Sequence, residues 1–335
     1  MMFFEQAFEG KNEISRWIAM ILLVVLFTQI VGAIPVVVII AIAMATNPDI
    51  EPNLENPMDL SVYGISQIEA LALIIIPFAM GAVALYLFHH PIHKRCLLTM
   101  LTASPRFRWK RFFWGGGIWL AMMVVTSVLS VVAGYQDVEL HFNPTVLVGL
   151  LLVSLLLLPL QTGFEEFFFR GYLMQGIGIL ARNRWAPLLI TSLIFGLMHY
   201  FNPEVSEYGA AVMLPQYIWF GLFFGICTLM DEGIELAWGA HAVNNIFLSV
   251  FFTQDSSALQ TPALFTISET NPLVDFAGLV VMSILFIGLA ARHFDWPGWR
   301  FLFSRITPPP TDEEGLTGFE EEEDYQFDNQ IEKYS

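Results

Sequence analysis

Charge is what this sequence has least of: 14% of its 335 residues are Asp, Glu, Lys or Arg, against about 25% in an ordinary soluble domain. Hydrophobic residues make up 56%, and mean hydropathy is +0.60. Cysteine is scarce too. Cys96 and Cys227 stand alone, which excludes a disulfide framework and a CxxC metal site. Lysine and arginine total 15 against 31 acids, a net charge of −16. No basic face exists for nucleic acid, so none is expected as a partner. The short alternating segments of about ten residues that a membrane β-barrel needs are also missing.

What is present are apolar runs of about 18 residues or more, recurring along the chain. The fold expected is therefore all-α: a polytopic membrane protein of about eight transmembrane helices, with the lipid bilayer as its surroundings. The runs fall at about 17–45, 68–88, 112–133, from 145 onward, and then at 187–201, 210–230, 236–252 and 272–291. The first is far longer than the 7 to 15 residues of a signal-peptide core, so a retained helix is expected. Basic residues follow the second run (Lys94, Arg95, Arg106, Arg108, Lys110, Arg111), the fourth (Arg170, Arg182, Arg184) and the eighth (Arg292, Arg300, Arg305). The loops after the first, third, fifth and seventh lack them. This alternation predicts both termini on the cytoplasmic side.

The excess acid is concentrated past Pro310, in Asp312, Glu313, Glu314, Glu320, Glu321, Glu322, Glu323, Asp324, Asp328 and Glu332. A membrane domain over 1–306 followed by an acidic, disordered cytoplasmic tail over 307–335 is the expected organisation.

One stretch breaks the apolar pattern. Gly163 to Tyr172, GFEEFFFRGY, sets two glutamates and an arginine inside the fourth run. Each such charge costs about 2.5 to 3.5 kcal/mol at the centre of a membrane helix, so ionisable residues there are functional candidates by default. Residues four apart share a helix face, whereas neighbours lie about 100° apart. Glu166 and Arg170 are thus placed to pair, and Glu165 points to one side. An arginine on only one of two adjacent carboxylates gives them different roles: a structural pair and a working carboxylate. The alternative is a pair plus one protonated glutamate that merely knits helices together.

Two further polar pairs lie inside apolar runs. FGLMH puts Phe195 and His199 on one face, and HAVNN does the same for His241 and Asn245. At 1.5 Å per residue, His199 lies roughly 18 Å and His241 roughly 9 Å from the cytoplasmic ends of their helices. For Glu165 to join them, the fourth helix is expected to break or leave the membrane near Gly171 to Gly178. A carboxylate, two imidazoles and an amide converging in a partly dry cavity would activate a water, directly or through a metal, and stabilise an oxyanion. That chemistry is peptide hydrolysis within the membrane. No serine or cysteine nucleophile with a matching base is apparent, which disfavours a covalent route.

EEFFFR reads as EExxxR, FGLMH as FxxxH and HAVNN as HxxxN. In this order on the fourth, fifth and seventh runs, about 147–252, they resemble the CAAX protease and bacteriocin-processing (CPBP) family of intramembrane proteases. The resemblance implies that Glu165 and His199 activate the water, that His241 and Asn245 form the oxyanion site, and that Glu166 and Arg170 support the constellation. It implies a peptide or membrane-protein substrate, with prenyl recognition open, and a prokaryotic plasma membrane is the expected location. A metal is also left open: a zinc ion would take Glu165, His199 and His241, whereas the absence of HExxH favours the metal-free version. A non-enzymatic scaffold or immunity protein of the same fold and a proton-coupled transporter are the alternatives.

Overall fold

A computed structural model describes residues 2–47, 49–51, 60–254, 256–268 and 270–309. The expected acidic tail lies almost wholly outside the described residues, as does much of the first loop.

The chain is an all-α class, mostly helical polytopic membrane protein. Helix α1 (Ile14–Leu26) runs through a π-helical turn, Phe27–Val31, into α2 (Ile34–Thr46). It is followed by α3 (Gln67–His93), the short α4 (Leu98–Leu101) and α5 (Trp109–Val132). Next come α6 (Pro144–Glu165), a π-helical segment over Glu166–Leu173, and α7 (Met174–Ala181). The remaining helices are α8 (Trp185–Met198), α9 (Pro203–Tyr208), α10 (Ala210–Asp231), α11 (Glu235–Phe251) and α12 (Pro272–His293). Strands β1 (Val138–Leu140), β2 (Phe252–Thr253) and β3 (Phe265–Ile267) form a small sheet in the order β1-β3-β2, antiparallel and then parallel.

Local chemistry marks the helix starts. Ser66 and Glu69 form a reciprocal capping box at α3. The Asn143 and Asn271 side chains accept the first free N–H groups of α6 and α12, each followed by a proline in the first turn.

Among the described residues, six helical stretches are long and apolar enough to cross a membrane: Ile14–Thr46, Gln67–His93, Trp109–Val132, Pro144–Ala181, Ala210–Asp231 and Pro272–His293. The fifth and seventh expected spans are helices too, but α8 has 14 residues and α11 has 17. At 1.5 Å per residue they reach only about 21 and 26 Å, short of a hydrocarbon core of about 30 Å. His241 lies on α11, and His199 directly follows the last residue of α8. Polar groups there are met by neighbouring helices instead of lipid.

The fourth helix does not break at Gly171 to Gly178. Pro144–Ala181 is one continuous helical stretch of 38 residues, roughly 57 Å long and therefore reaching well beyond the hydrocarbon. Its glycines serve packing: a methyl group on Gly176 would meet the Trp17 ring, and one on Gly178 would overlap the Phe4 ring. Phe3 and Phe4 are fully buried, and Asn183 bridges to Arg305. The two ends of the described chain therefore meet at the same end of the bundle.

Helix α11 sits at the centre, against α5. Small residues let the two backbones touch, the usual way membrane helices associate when lipid removes the hydrophobic drive. A methyl group on Gly239 would overlap the Phe112 carbonyl oxygen, and one on Gly115 would overlap that of Leu236. The start of α11 is held electrostatically, since Arg108 Nη2 lies 2.6 Å from Glu235 and 3.1 Å from Asp231. Gly239→Ala is expected to cost at least about 1–3 kcal/mol by overpacking. Gly278→Ala, where nothing lies within 4 Å, should be neutral or slightly stabilising. Thermal unfolding in detergent micelles compares the two, and equal midpoints would refute the close contact.

Candidate active site

Glu165 ends α6 and Glu166 opens the π-helical segment, where the Met174 N–H reaches the Phe169 carbonyl five residues back. Such segments are rare and recur at functional sites. Glu166 is fully buried, Arg170 is 1% exposed, and Glu165 and His241 are each 6% exposed. Glu165 is thus less open to water than its position beside the pair suggested, because α11 closes over this face.

The Glu166–Arg170 pair forms as the spacing predicts, with Arg170 Nη1 at 2.9 Å from Glu166 Oε1. The same carboxylate oxygen also lies 2.7 Å from His241 Nδ1. On the far side of that ring, His241 Nε2 is 3.5 Å from Glu165 Oε2. Two adjacent carboxylates therefore flank one imidazole, and only one of them is neutralised by an arginine. Because the arginine-paired carboxylate can only accept, the hydrogen-bond pattern assigns the His241 proton to Nδ1 and turns Nε2 toward Glu165.

Arg170 reaches two more helices. Its Nη2 faces the Phe220 and Gly221 carbonyls of α10 at 3.5 and 3.4 Å. The guanidinium lies 4.3 Å over the Phe195 ring of α8 and 5.4 Å from that of Phe224. Phe224 in turn stacks on His241, centroids 4.6 Å apart.

Asn245 joins Glu165 through an amide that sequence reading missed. Gln161 gives Nε2–H to Glu165 Oε1 at 2.7 Å and accepts from Asn245 Nδ2 at 2.9 Å. Asn244 then donates to Asn245, and the Trp119 indole to Asn244. Gln161 lies four residues before Glu165, so helical spacing was the signal that could have found it.

His199 lies just outside this network. It follows the last residue of α8, its Nδ1 is 2.7 Å from the Phe195 carbonyl, and its ring stacks on Tyr217 at 4.2 Å and 18°. The Phe195 ring touches both imidazoles, 4.7 Å from His199 and 6.2 Å from His241. No hydrogen bond joins His199 to Glu165 among the described residues. In the short turn beyond it, burial pushes the Glu204 carboxyl above its ordinary range, against a hydrogen bond from Tyr217.

A resident metal would need three or more ligands held together. Among the described residues no three His, Cys, Asp or Glu side chains converge in that way. The set Glu165, His199 and His241 does not fit.

Residues 145–247, which hold all three motifs, match the family described as type II CAAX prenyl endopeptidase Rce1-like. Over 294 residues the chain is 30% identical to the uncharacterized protein YyaK of Bacillus subtilis (strain 168), covering 86% of this chain and 94% of that protein. This chain belongs to the Rce1-like family. No solved structure matches it. For an Rce1-like chain, integral membrane location and a hydrolase of the protease class are the general expectations that membership supports.

Proposed function

We propose that this Rce1-like chain is a glutamate-type intramembrane endopeptidase. The observation that supports this most is the unequal treatment of the two glutamates. Arg170 neutralises Glu166, which holds His241 by Nδ1, and Glu165 keeps a carboxylate with no arginine on it.

Glu165 Oε2 and His241 Nε2 lie 3.5 Å apart, at the limit of a direct hydrogen bond, so the carboxylate oxygen keeps a lone pair for a water beside the pair. A water held by Glu165 attacks the scissile carbonyl carbon as its proton passes to the carboxylate. The new C–O bond converts the carbonyl oxygen to an oxyanion. Asn245 gives one of its two amide N–H groups to Gln161, and the other is suited to the oxyanion. Collapse breaks the C–N bond, and the proton on Glu165 moves to the leaving amine. His199 supports this chemistry from beside Phe195, as the second base near the water.

The substrate on this reading is a peptide segment presented from the bilayer, of the prenylated C-terminal kind. The match to a Bacillus subtilis protein supports a prokaryotic plasma membrane as the location. The reading is tested with purified protein in proteoliposomes and a farnesylated C-terminal peptide, scored by mass spectrometry. Release of the residues after the prenylated cysteine is expected, and an intact peptide would refute it. Cleavage should also persist in excess chelator, because no step needs a metal. Loss of activity on chelation with recovery on adding zinc would overturn the glutamate-type mechanism.

A further inference from the structure

Helix α10 carried no motif in the sequence, yet one of its faces meets His199, Arg170 and His241. Tyr217 stacks on His199, the Phe220 and Gly221 carbonyls face Arg170, and Phe224 stacks on His241. These positions repeat at i, i+3, i+4 and i+7, a single helical stripe. Of its members, Tyr217 is the one whose polar group is held by a dedicated set of partners.

The Tyr217 hydroxyl donates to the Glu204 carboxylate and accepts from Asn202 Nδ2 at 3.0 Å. Asn202 and Glu204 lie three and five residues beyond His199, on the turn entering α9. The chain thus leaves the imidazole, turns, and grips the hydroxyl of the ring that stacks on it. The backbones are tight where this happens. A methyl group on Gly196 would overlap the Ile218 side chain, and one on Gly221 would sit 2.7 Å from Ser192 Cα. Helices α8 and α10 are therefore in close backbone contact beside the stack. His199 itself has Nδ1 committed to the Phe195 carbonyl, so Nε2 is the nitrogen left for chemistry. What remains to be set is the tilt of the ring, and only packing can set it.

We propose that Tyr217 is the positioning residue of His199: its ring sets the plane of the imidazole, and Glu204 and Asn202 lock that ring through its hydroxyl. This rests on the reading of His199 as part of a peptidase site. A misplacement of about 1 Å in such a group costs about 100-fold in rate. The stack supplies the plane and the hydroxyl only a lock. Tyr217→Leu and Tyr217→Phe therefore differ: leucine removes the stacking ring, whereas phenylalanine keeps it.

The test uses full-length protein in proteoliposomes with the farnesylated peptide. Tyr217→Leu should lower kcat about 10- to 100-fold with KM within about twofold, and Tyr217→Phe should restore kcat to within about threefold of wild type. Wild-type kcat in Tyr217→Leu would overturn the proposal. So would equal loss in both variants that tracks their loss of thermal stability, which is the mark of a merely structural residue. A second measurement needs no activity. In histidine-labelled protein in nanodiscs, the ring 15N resonances of His199, assigned by their loss in His199→Gln, should be single and sharp in wild type and Tyr217→Phe but broadened or doubled in Tyr217→Leu. Identical resonances in all three would refute the positioning role. If wild type fails to cleave, the peptidase reading falls, and if Glu165→Ala cleaves equally well, the role of Glu165 falls; in both cases the His199 resonances still decide the role of Tyr217.

Discussion

Glu165→Ala is expected to lower cleavage by about 10³-fold or more, the upper range for a general base, while leaving the fold nearly intact. Among the described residues the carboxylate is tied to the protein by Gln161 at 2.7 Å and by the looser approach of His241 at 3.5 Å. Leaving the Gln161 amide N–H without its acceptor costs about 1–3 kcal/mol, offset in part because a buried carboxylate no longer has to be desolvated. The contrast between a large kinetic effect and a small shift in unfolding is the signature of a group kept for chemistry. Peptide release and thermal unfolding measured on the same preparation check it. Cleavage within tenfold of wild type would remove Glu165 from the mechanism.

Arg170 should behave in the opposite way. Arg170→Met strips the guanidinium from a carboxylate that is fully buried, and breaking a buried pair by removing one partner typically costs about 3–5 kcal/mol. It also releases the α10 carbonyls that Arg170 bridges. Adding Glu166→Gln to Arg170→Met removes the stranded charge, and the double variant should recover most of the lost stability. Activity should not return with it, because an amide in place of the carboxylate no longer fixes the protonated Nδ1 of His241. Denaturant unfolding in micelles, together with the cleavage assay, separates these effects. A single variant as stable as wild type would show that the pair contributes nothing to the fold.

The two predictions differ although the residues are neighbours, and the difference could be read only in part from the sequence. The four-residue spacing of Glu166 and Arg170 announced their pairing, because it is a property of one helix. That His241 would insert between the two carboxylates was not announced. It depends on α6 and α11 meeting at one depth, and the π-helical segment at Glu166–Leu173 belongs to that meeting. On depth, the fourth helix was expected to break or to leave the membrane near Gly171 to Gly178; it does not break, and its 38 residues are longer than the hydrocarbon core requires. Gln161 was legible from spacing and was passed over. Tyr217 was not legible, since a tyrosine in an apolar run looks like any other packed aromatic until its neighbour is known.

By itself the sequence determined a polytopic helical protein, because a bilayer accepts only backbones that satisfy their own hydrogen bonds and a 56% apolar chain with long runs has no other way to do so. It also determined that three polar pairs had to be sheltered from lipid. Which groups on different helices would touch was decided by tertiary structure alone. Only when α11 docks against α6 does one imidazole bridge Glu165 and Glu166. Only the close packing of α8 on α10 places Tyr217 under His199. Contacts between helices depend on their rotation and register, and those are properties of the packed bundle as a whole.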